Sequence, residues 1–386
     1  MSITISVNEA RPAPREGQVV VTTKIDLIRH GLVCGRPWWI ATPELSRWTC
    51  WTSPPAGVEA YSAAELIECR RVAVQLNTYL HQDRSGDPIE TTEEFHSLED
   101  ADRDDATTRL GAAIAGQLAW SIFDVPALHH VAWMAPDLGL DPASSASRVD
   151  YAGLATTEAP SWVVLDAAVR TQPEAGPRGD VEPGVRVPDI RAIGGTSVGA
   201  CAAAIAVPGQ HAGALDARVQ TPTSTPVGPD LQDVDADRLD EQRYAPFARA
   251  IAAGMDHRTV TTQLASGHPQ TLHLFPLGFT GFIGISDDVW SAIHAALDAA
   301  GTDRRARFAQ DIRAIHRQRA RDAKPPTARK VVNRRSRTTS RLRTAPQLDV
   351  DGVRHEASVG PDGIALVLPI ALTHMNADRQ PGFRAA

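Results

Sequence analysis

The sequence is poor in cysteine and in aromatic residues, and it has no long apolar run. Its four cysteines, Cys34, Cys50, Cys69 and Cys201, stand far apart with no CxxC pair. Such spacing signals neither a zinc site nor a disulfide framework, and the thiols read as reduced and buried. No stretch approaches the roughly 18 apolar residues that mark a membrane-spanning helix. The opening residues show no basic head followed by an apolar segment, so we expect a cytoplasmic protein without a membrane span. A P-loop and the glycine fingerprint of dinucleotide-binding folds are absent, which argues against a nucleotide cofactor. The histidines, among them His129, His130, His268 and His273, lack metal-ligand spacing. No internal repeat is present.

What is there is ordinary globular composition. Over 386 residues, 42% are hydrophobic and 22% charged, enough to bury a sizeable core and to hold two domains. The order of patterns predicts an α/β protein with a mixed β-sheet flanked by helices, followed by a mainly helical C-terminal region. We expect an α/β region over 1–220, an acidic Pro/Thr-rich linker over 221–241, a helical region over 242–322, a basic arm over 323–346 and a C-terminal β segment over 347–386.

Periodicity supports these divisions. Gly17 to Arg29 alternates like a half-buried strand. The segment Pro37 to Trp51 reads as irregular, and its tryptophans Trp38, Trp39, Trp48 and Trp51 read as buried core or a domain seam rather than a stacking platform for bases. Ser62 and Glu65 form a capping box ahead of apolar residues at helical spacing, which predicts a helix over about 62–81. Asp83 to Asp105 reads as acidic and turn-rich, Leu110 to Phe123 as a helix, and Leu128 to Met134 as a short strand. Val149 to Leu154 and Trp162 to Val169 read as two strands around a turn. Pro173 to Pro188 reads as a loop, and Ile190 to Val207 as a small-residue apolar segment. Ser286 with two aspartates starts a helix carrying Val289, Ile293 and Leu297 on one face. Phe308, Ile312 and Ile315 give a basic helix one apolar side that should dock on the body, and Ile364 to Leu372 reads as a buried strand.

Three constellations could carry chemistry. If the two strands around residue 158 form a simple hairpin, Asp150 and Asp166 face each other. Like charges directly opposite call for a cation. Asp166, Ala168 and Arg170 share one strand face, and Mg²⁺ held by two carboxylates beside a fixed cation is an arrangement suited to phosphodiester cleavage. The order helix, strand, Asp-bearing strand, second Asp-bearing strand resembles the core of the PD-(D/E)xK nucleases over Leu110 to Gln172. In that resemblance Val149-Asp150 stands for Pro-Asp and Asp166-Ala167-Ala168 for D/E-x-K, while Gln117 occupies the helix where the family often has a glutamate. The motif lysine is replaced by Ala168, and Arg170 is a poor proton acceptor. The resemblance therefore implies a weakened or inactive core.

Gly195-Thr196-Ser197-Val198-Gly199 contains G-x-S-x-G and resembles the nucleophile turn of patatin-like acyl hydrolases, which would make Ser197 a nucleophile. No glycine-rich oxyanion loop precedes it, and a packing strand of small residues is an equal reading. Arg29-His30-Gly31 after a strand resembles the phosphohistidine motif of the histidine phosphatases, without a counterpart for the second histidine.

The net charge of −7 conceals an asymmetry: Asp303 to Arg343 holds fifteen Lys or Arg against three Asp, on an otherwise acidic chain. Arg304, Arg305, Arg313, Arg317, Arg329, Lys330, Arg334 and Arg335 are therefore candidates for nucleic-acid phosphate contacts. The alternatives are that the stretch covers an acidic surface of the same protein or contacts an acidic partner, and a non-enzymatic interaction protein stays open.

Overall fold

The computed structural model describes residues 2–6, 42–52, 79–81, 90–130, 150–156, 160–169, 190–207, 216–220, 228, 230–231, 234–263, 269–277, 281–299, 303–323 and 346–370. In the first half the elements run β1 (Ser2–Ser6), α1 (Thr42–Thr52), β2 (Leu80–His81), β3 (Glu90–Thr91), α2 (Glu93–His96), α3 (Asp100–Phe123), β4 (His129–His130), β5 (Tyr151–Leu154) and β6 (Trp162–Val169). They continue with β7 (Ala192–Ile193), β8 (Thr196–Val207), β9 (Asp216–Gln220) and β10 (Asp230–Leu231). The second half comprises α4 (Ala236–Ala252), β11 (Arg258–Gln263), β12 (Pro269–Pro276), β13 (Phe282–Ser286), α5 (Asp287–Asp298) and α6 (Arg304–Ala323). It closes with β14 (Gln347–Val350), β15 (Val353–Val359) and β16 (Ile364–Pro369).

The fold is α/β, built on two main sheets. The first is mixed, with strand order β1-β9-β8-β6-β5-β4 and β7 and β10 attached beside β8. Its central pair, β6 and β8, is parallel, whereas β4, β5 and β6 are successive antiparallel neighbours. Alternation decides what each face meets. Val163 and Leu165 of β6 pack with α1 and α3, and Trp162 and Val164 pack with Ile190, Ile193 and Leu239 on the opposite face. Both faces are covered, which explains the near-continuous apolar run of this strand.

The second sheet is antiparallel throughout, in the order β11-β12-β13-β16-β15-β14. Phe275, Ile283, Ile285, Ile364, Leu366 and Leu368 face α4, α5 and α6, while Leu272, Leu274, Ala365 and Val367 fill the other side. The sheet curls until its edge strands approach each other, and Arg258 of β11 pairs with Asp351 in the β14–β15 turn. Helix α1 joins the halves, since it packs on α3 and also on β15 and β16.

Several local expectations correspond to these elements. Helix α5 begins after Ser286 with Asp287 and Asp288 in its first turn, where the helix dipole favours carboxylates. Val289 and Ile293 are buried on it, and Leu297 packs against the same cluster. Phe308 and Ile312 of α6 are buried against the body, with Ile315 packed beside them. Ile364 to Leu368 is buried along its length.

Other expectations are corrected. The segment 242–322 is only partly helical: β11, β12 and β13 lie within it, because antiparallel neighbours rather than helical periodicity decide their state. Trp48 and Trp51 are buried as expected but lie on a helix. The turn-rich reading of Asp83 to Asp105 gives way to α2 and the start of α3, since carboxylates in a first turn support a helix. The residues assigned to the acidic linker include the first turns of α4, capped by Asp235. The helix expected over 62–81 lies mostly outside the described residues, and Leu80–His81 pairs as a strand with Glu90–Thr91. The strand expected at 17–29 also lies outside them. Among the described residues no helix is long and apolar enough to cross a membrane.

Candidate functional site

The β5–β6 hairpin aligns Tyr151 with Leu165, and one further step of the same register sets Asp150 opposite Asp166. The symmetry about residue 158 is thus realised. By alternation both carboxylates lie on the sheet face opposite α3. Asp150 Oδ2 accepts a hydrogen bond from the Ala167 N–H at 3.0 Å. Burial, and then the charges of Asp150 and Asp166, push the Tyr151 hydroxyl up from its ordinary range. Burial lowers His130, which stacks edge-on against Tyr151, and Asp150 partly offsets this. Among the described residues no cluster of three or more His, Cys, Asp or Glu side chains is placed around one metal position. Mg²⁺ does not need one, because it is commonly held by one or two carboxylates with water and phosphate oxygens completing the shell.

Gln117 serves a different purpose. It points to the α3 side of the sheet, where its Oε1 accepts from Trp48 Nε1 at 2.7 Å and its Nε2 donates to Ser121 Oγ at 3.1 Å. Arg170 lies outside the described residues.

Ser197 is exposed on β8, paired with Ala192 of β7. The glycines of G-x-S-x-G have other reasons to be there. Gly194 and Gly195, both at positive φ (55° and 75°), form the two-residue turn between β7 and β8. A Cβ on Gly199 would lie 2.6 Å from Ser161 Oγ. A strand of twelve residues follows the turn, where the nucleophile turn of a hydrolase is followed by a helix. No hydrogen bond to the Ser197 hydroxyl is present among the described residues. Arg29-His30-Gly31 and His268 lie outside them, and His273 stacks on Trp290 and bonds Asp287 at 2.9 Å.

Part of the charge of the basic helix α6 is answered by the protein's own carboxylates. Arg305 pairs with Glu241 and Asp235, and Arg313 pairs with Asp237 and Asp240, all at or near the start of α4. Arg304 and Arg317 are exposed, Arg317 donating from Nε to the Arg313 carbonyl. Arg329, Lys330, Arg334 and Arg335 lie outside the described residues.

Where α1, β4, α4, α6 and the β15–β16 region meet, the structure assembles a polar cluster. Arg243 donates from Nε and Nη2 to Asp362 Oδ2 at 3.2 and 2.5 Å and from Nη1 to the Leu128 carbonyl at 3.1 Å. Arg47 lies 3.6 Å from Asp362 Oδ1, donates to Ser358 Oγ and stacks over Trp48. Burial pushes the Asp362 carboxyl up, but Arg243 and Arg47 together hold it below its usual value. The Tyr244 hydroxyl donates to the Asp362 carbonyl at 2.7 Å, so His316 Nε2, 2.9 Å away, must be the donor to Tyr244.

Beside this cluster a cleft of about 290 Å³ opens between the turn end of the β5–β6 hairpin and helices α4 and α6. His129, His316, Asp240, Arg313, Gln310 and Trp162 are among its lining residues. Burial, then Arg243 among nearby cations, pushes His129 down to about 3. Burial takes His316 to about 3 as well, against the attraction of Asp362. Burial raises Asp240 to about 6 despite Arg313. Shifted groups gathered in a cleft make it a candidate functional site. None of these was a sequence candidate, because Arg47, Arg243 and Asp362 meet across 119 or more positions and no local pattern announces them.

No known protein-family profile matches this chain, and no curated protein or solved structure matches it significantly.

Proposed function

We propose that this protein is a nuclease-like nucleic-acid-binding protein with weak or absent catalysis, in which Asp150 and Asp166 hold Mg²⁺. The observation that carries this reading is the cross-strand register that sets the two carboxylates opposite one another on strands following α3. Two opposed carboxylates are destabilising alone and favourable around a cation. The bound ion would polarise a phosphate oxygen, and Arg170 would hold the phosphate. With Ala168 in place of the motif lysine, no lysine stands at that position to assist proton removal.

Nucleic-acid contact in this reading falls to Arg304, Arg317, Arg329, Lys330, Arg334 and Arg335. Arg305 and Arg313 are committed to carboxylates of the protein itself. The serine hydrolase reading of Ser197 gains no supporting neighbour from its strand.

Calorimetry with Mg²⁺ and Mn²⁺ tests the proposal on the intact protein and on Asp150→Asn/Asp166→Asn at identical salt. Binding should be present in the first and lost in the second. Absence of binding in both would retire the reading.

A further inference from the structure

The cleft at the turn end of the β5–β6 hairpin is at the opposite end of that hairpin from Asp150 and Asp166, and it calls for its own ligand. Its two sides differ. Leu154, Pro160, Trp162 and Pro126 give an apolar wall, whereas β4, α4 and α6 supply the polar atoms.

The buried and half-buried fixed charges on the polar side are already paired, and Arg317 stands exposed at the rim. Arg313 is held by Asp237 and Asp240, so an entering anion meets those carboxylates and an entering cation meets Arg313 and Arg317. An anion would gain only the exposed, solvent-screened Arg317, and a cation only carboxylates already shared with Arg313, so either would lose more hydration than it recovers. An uncharged ligand avoids this cost.

The hydrogen-bonding capacity left over is specific. His129 is only 6% exposed and lines the cleft, and its ring has no hydrogen-bond partner among the described residues. His316 gives its one ring proton to Tyr244, which leaves Nδ1 a bare acceptor. Asp240 uses Oδ2 for Arg313, and Oδ1 has no partner among the described residues. Gln310 adds an amide on the same helix face as Arg313 and Arg317. The buried part of this inventory, Asp240 Oδ1 and His316 Nδ1, consists of acceptors, with the donors of Gln310 and Arg317 at the exposed rim, and it asks for N–H donors on one edge of a ligand whose body is apolar.

We propose that the cleft binds an uncharged heterocycle bearing an exocyclic amine, the chemistry of an amino-substituted nucleobase. Its ring faces rest on the apolar wall and its amino edge meets the acceptors of α4 and α6. Sugars fit less well, since their donors are distributed all round rather than gathered along one edge. The site does not rest on the metal reading of Asp150 and Asp166.

The test is calorimetric titration of the full chain with adenosine and with inosine, which replaces the exocyclic amine by an oxo group. Adenosine should bind, and inosine should bind about tenfold more weakly, because its oxo group turns an acceptor toward acceptors. His129→Phe and Gln310→Leu should each weaken adenosine binding by about tenfold. Gln310 is exposed, so its variant keeps the test decisive if His129→Phe does not fold. No heat with adenosine, equal affinity for inosine, or unchanged affinity in Gln310→Leu would overturn the proposal. Displacement of adenosine by a single-stranded oligoadenylate would identify the ligand as a base within a strand. Binding of adenosine alone would identify a free nucleoside, and either supports the site. Asp150→Asn/Asp166→Asn should bind adenosine as the wild type does, which keeps failure here separate from failure of the metal reading.

Discussion

Replacing Asp362 by Asn removes a negative charge with little change of volume. In the wild type this fully buried carboxylate is the counter-ion of two buried guanidinium groups, those of Arg47 and Arg243. Breaking such a group on one side leaves unpaired charge in a poorly polarisable interior, which costs about 3–5 kcal/mol. At a urea dependence of ~3 kcal/mol/M, the unfolding midpoint should drop by roughly 1 to 1.7 M. The assay is urea unfolding followed by circular dichroism at pH 7. Arg258→Gln serves as the comparison, because the Arg258–Asp351 pair is more than half exposed on both sides and is worth about 0–1 kcal/mol. The folded Asp362 carboxyl lies below its unfolded value, so its contribution is present above the ordinary carboxylate range and is lost as pH falls through the folded value. The gap between wild type and Asp362→Asn should therefore close in acid. A loss at pH 7 no larger than that of Arg258→Gln would refute the assignment of Asp362 as the charge centre of the fold.

Three further outcomes are expected. His129 and His316 have folded values of about 3 against an ordinary value of 6.5, so the unfolded chain binds more protons between these limits. Stability should fall as pH is lowered from 6.5 toward 4. Asp240, raised to about 6, has the opposite sign, and its contribution is lost as pH rises through that value. Asp240→Asn should therefore steepen the acid decline, and a wild-type urea midpoint that stays level over this range would contradict the assignment. Gly116→Ala should cost about 1–3 kcal/mol by overpacking, because its Cβ would press into the Trp48 ring. A thermal midpoint equal to that of the wild type would show that α1 and α3 yield freely.

The readability of individual elements followed the range of the forces behind them. Helix α5 was legible from Ser286, two aspartates and a one-sided apolar face, all within twelve residues. The pairing of Asp150 with Asp166 was legible because a hairpin fixes its register by symmetry about its turn. Strands β11, β12 and β13 were not, since their partners are brought together by a sheet that also needs β16, far along the chain. G-x-S-x-G was visible as a pattern, but the reasons for its glycines, a tight turn and the approach of Ser161, are tertiary facts.

The α/β class, the burial of the tryptophans of α1, the docking side of α6 and the opposition of two carboxylates across a hairpin are all written in local patterns of residues. These depend on periodicity and capping, which act over a few residues. That Arg305 and Arg313 answer the acidic start of α4, and that Arg47, Arg243 and Asp362 form one buried charge group, follows from the folded arrangement alone. The same arrangement alone decides that His129, His316 and Asp240 share a cleft. A charge has no partner until the chain has folded, and desolvation, the largest cause of the shifts at those three groups, exists only once a core surrounds them.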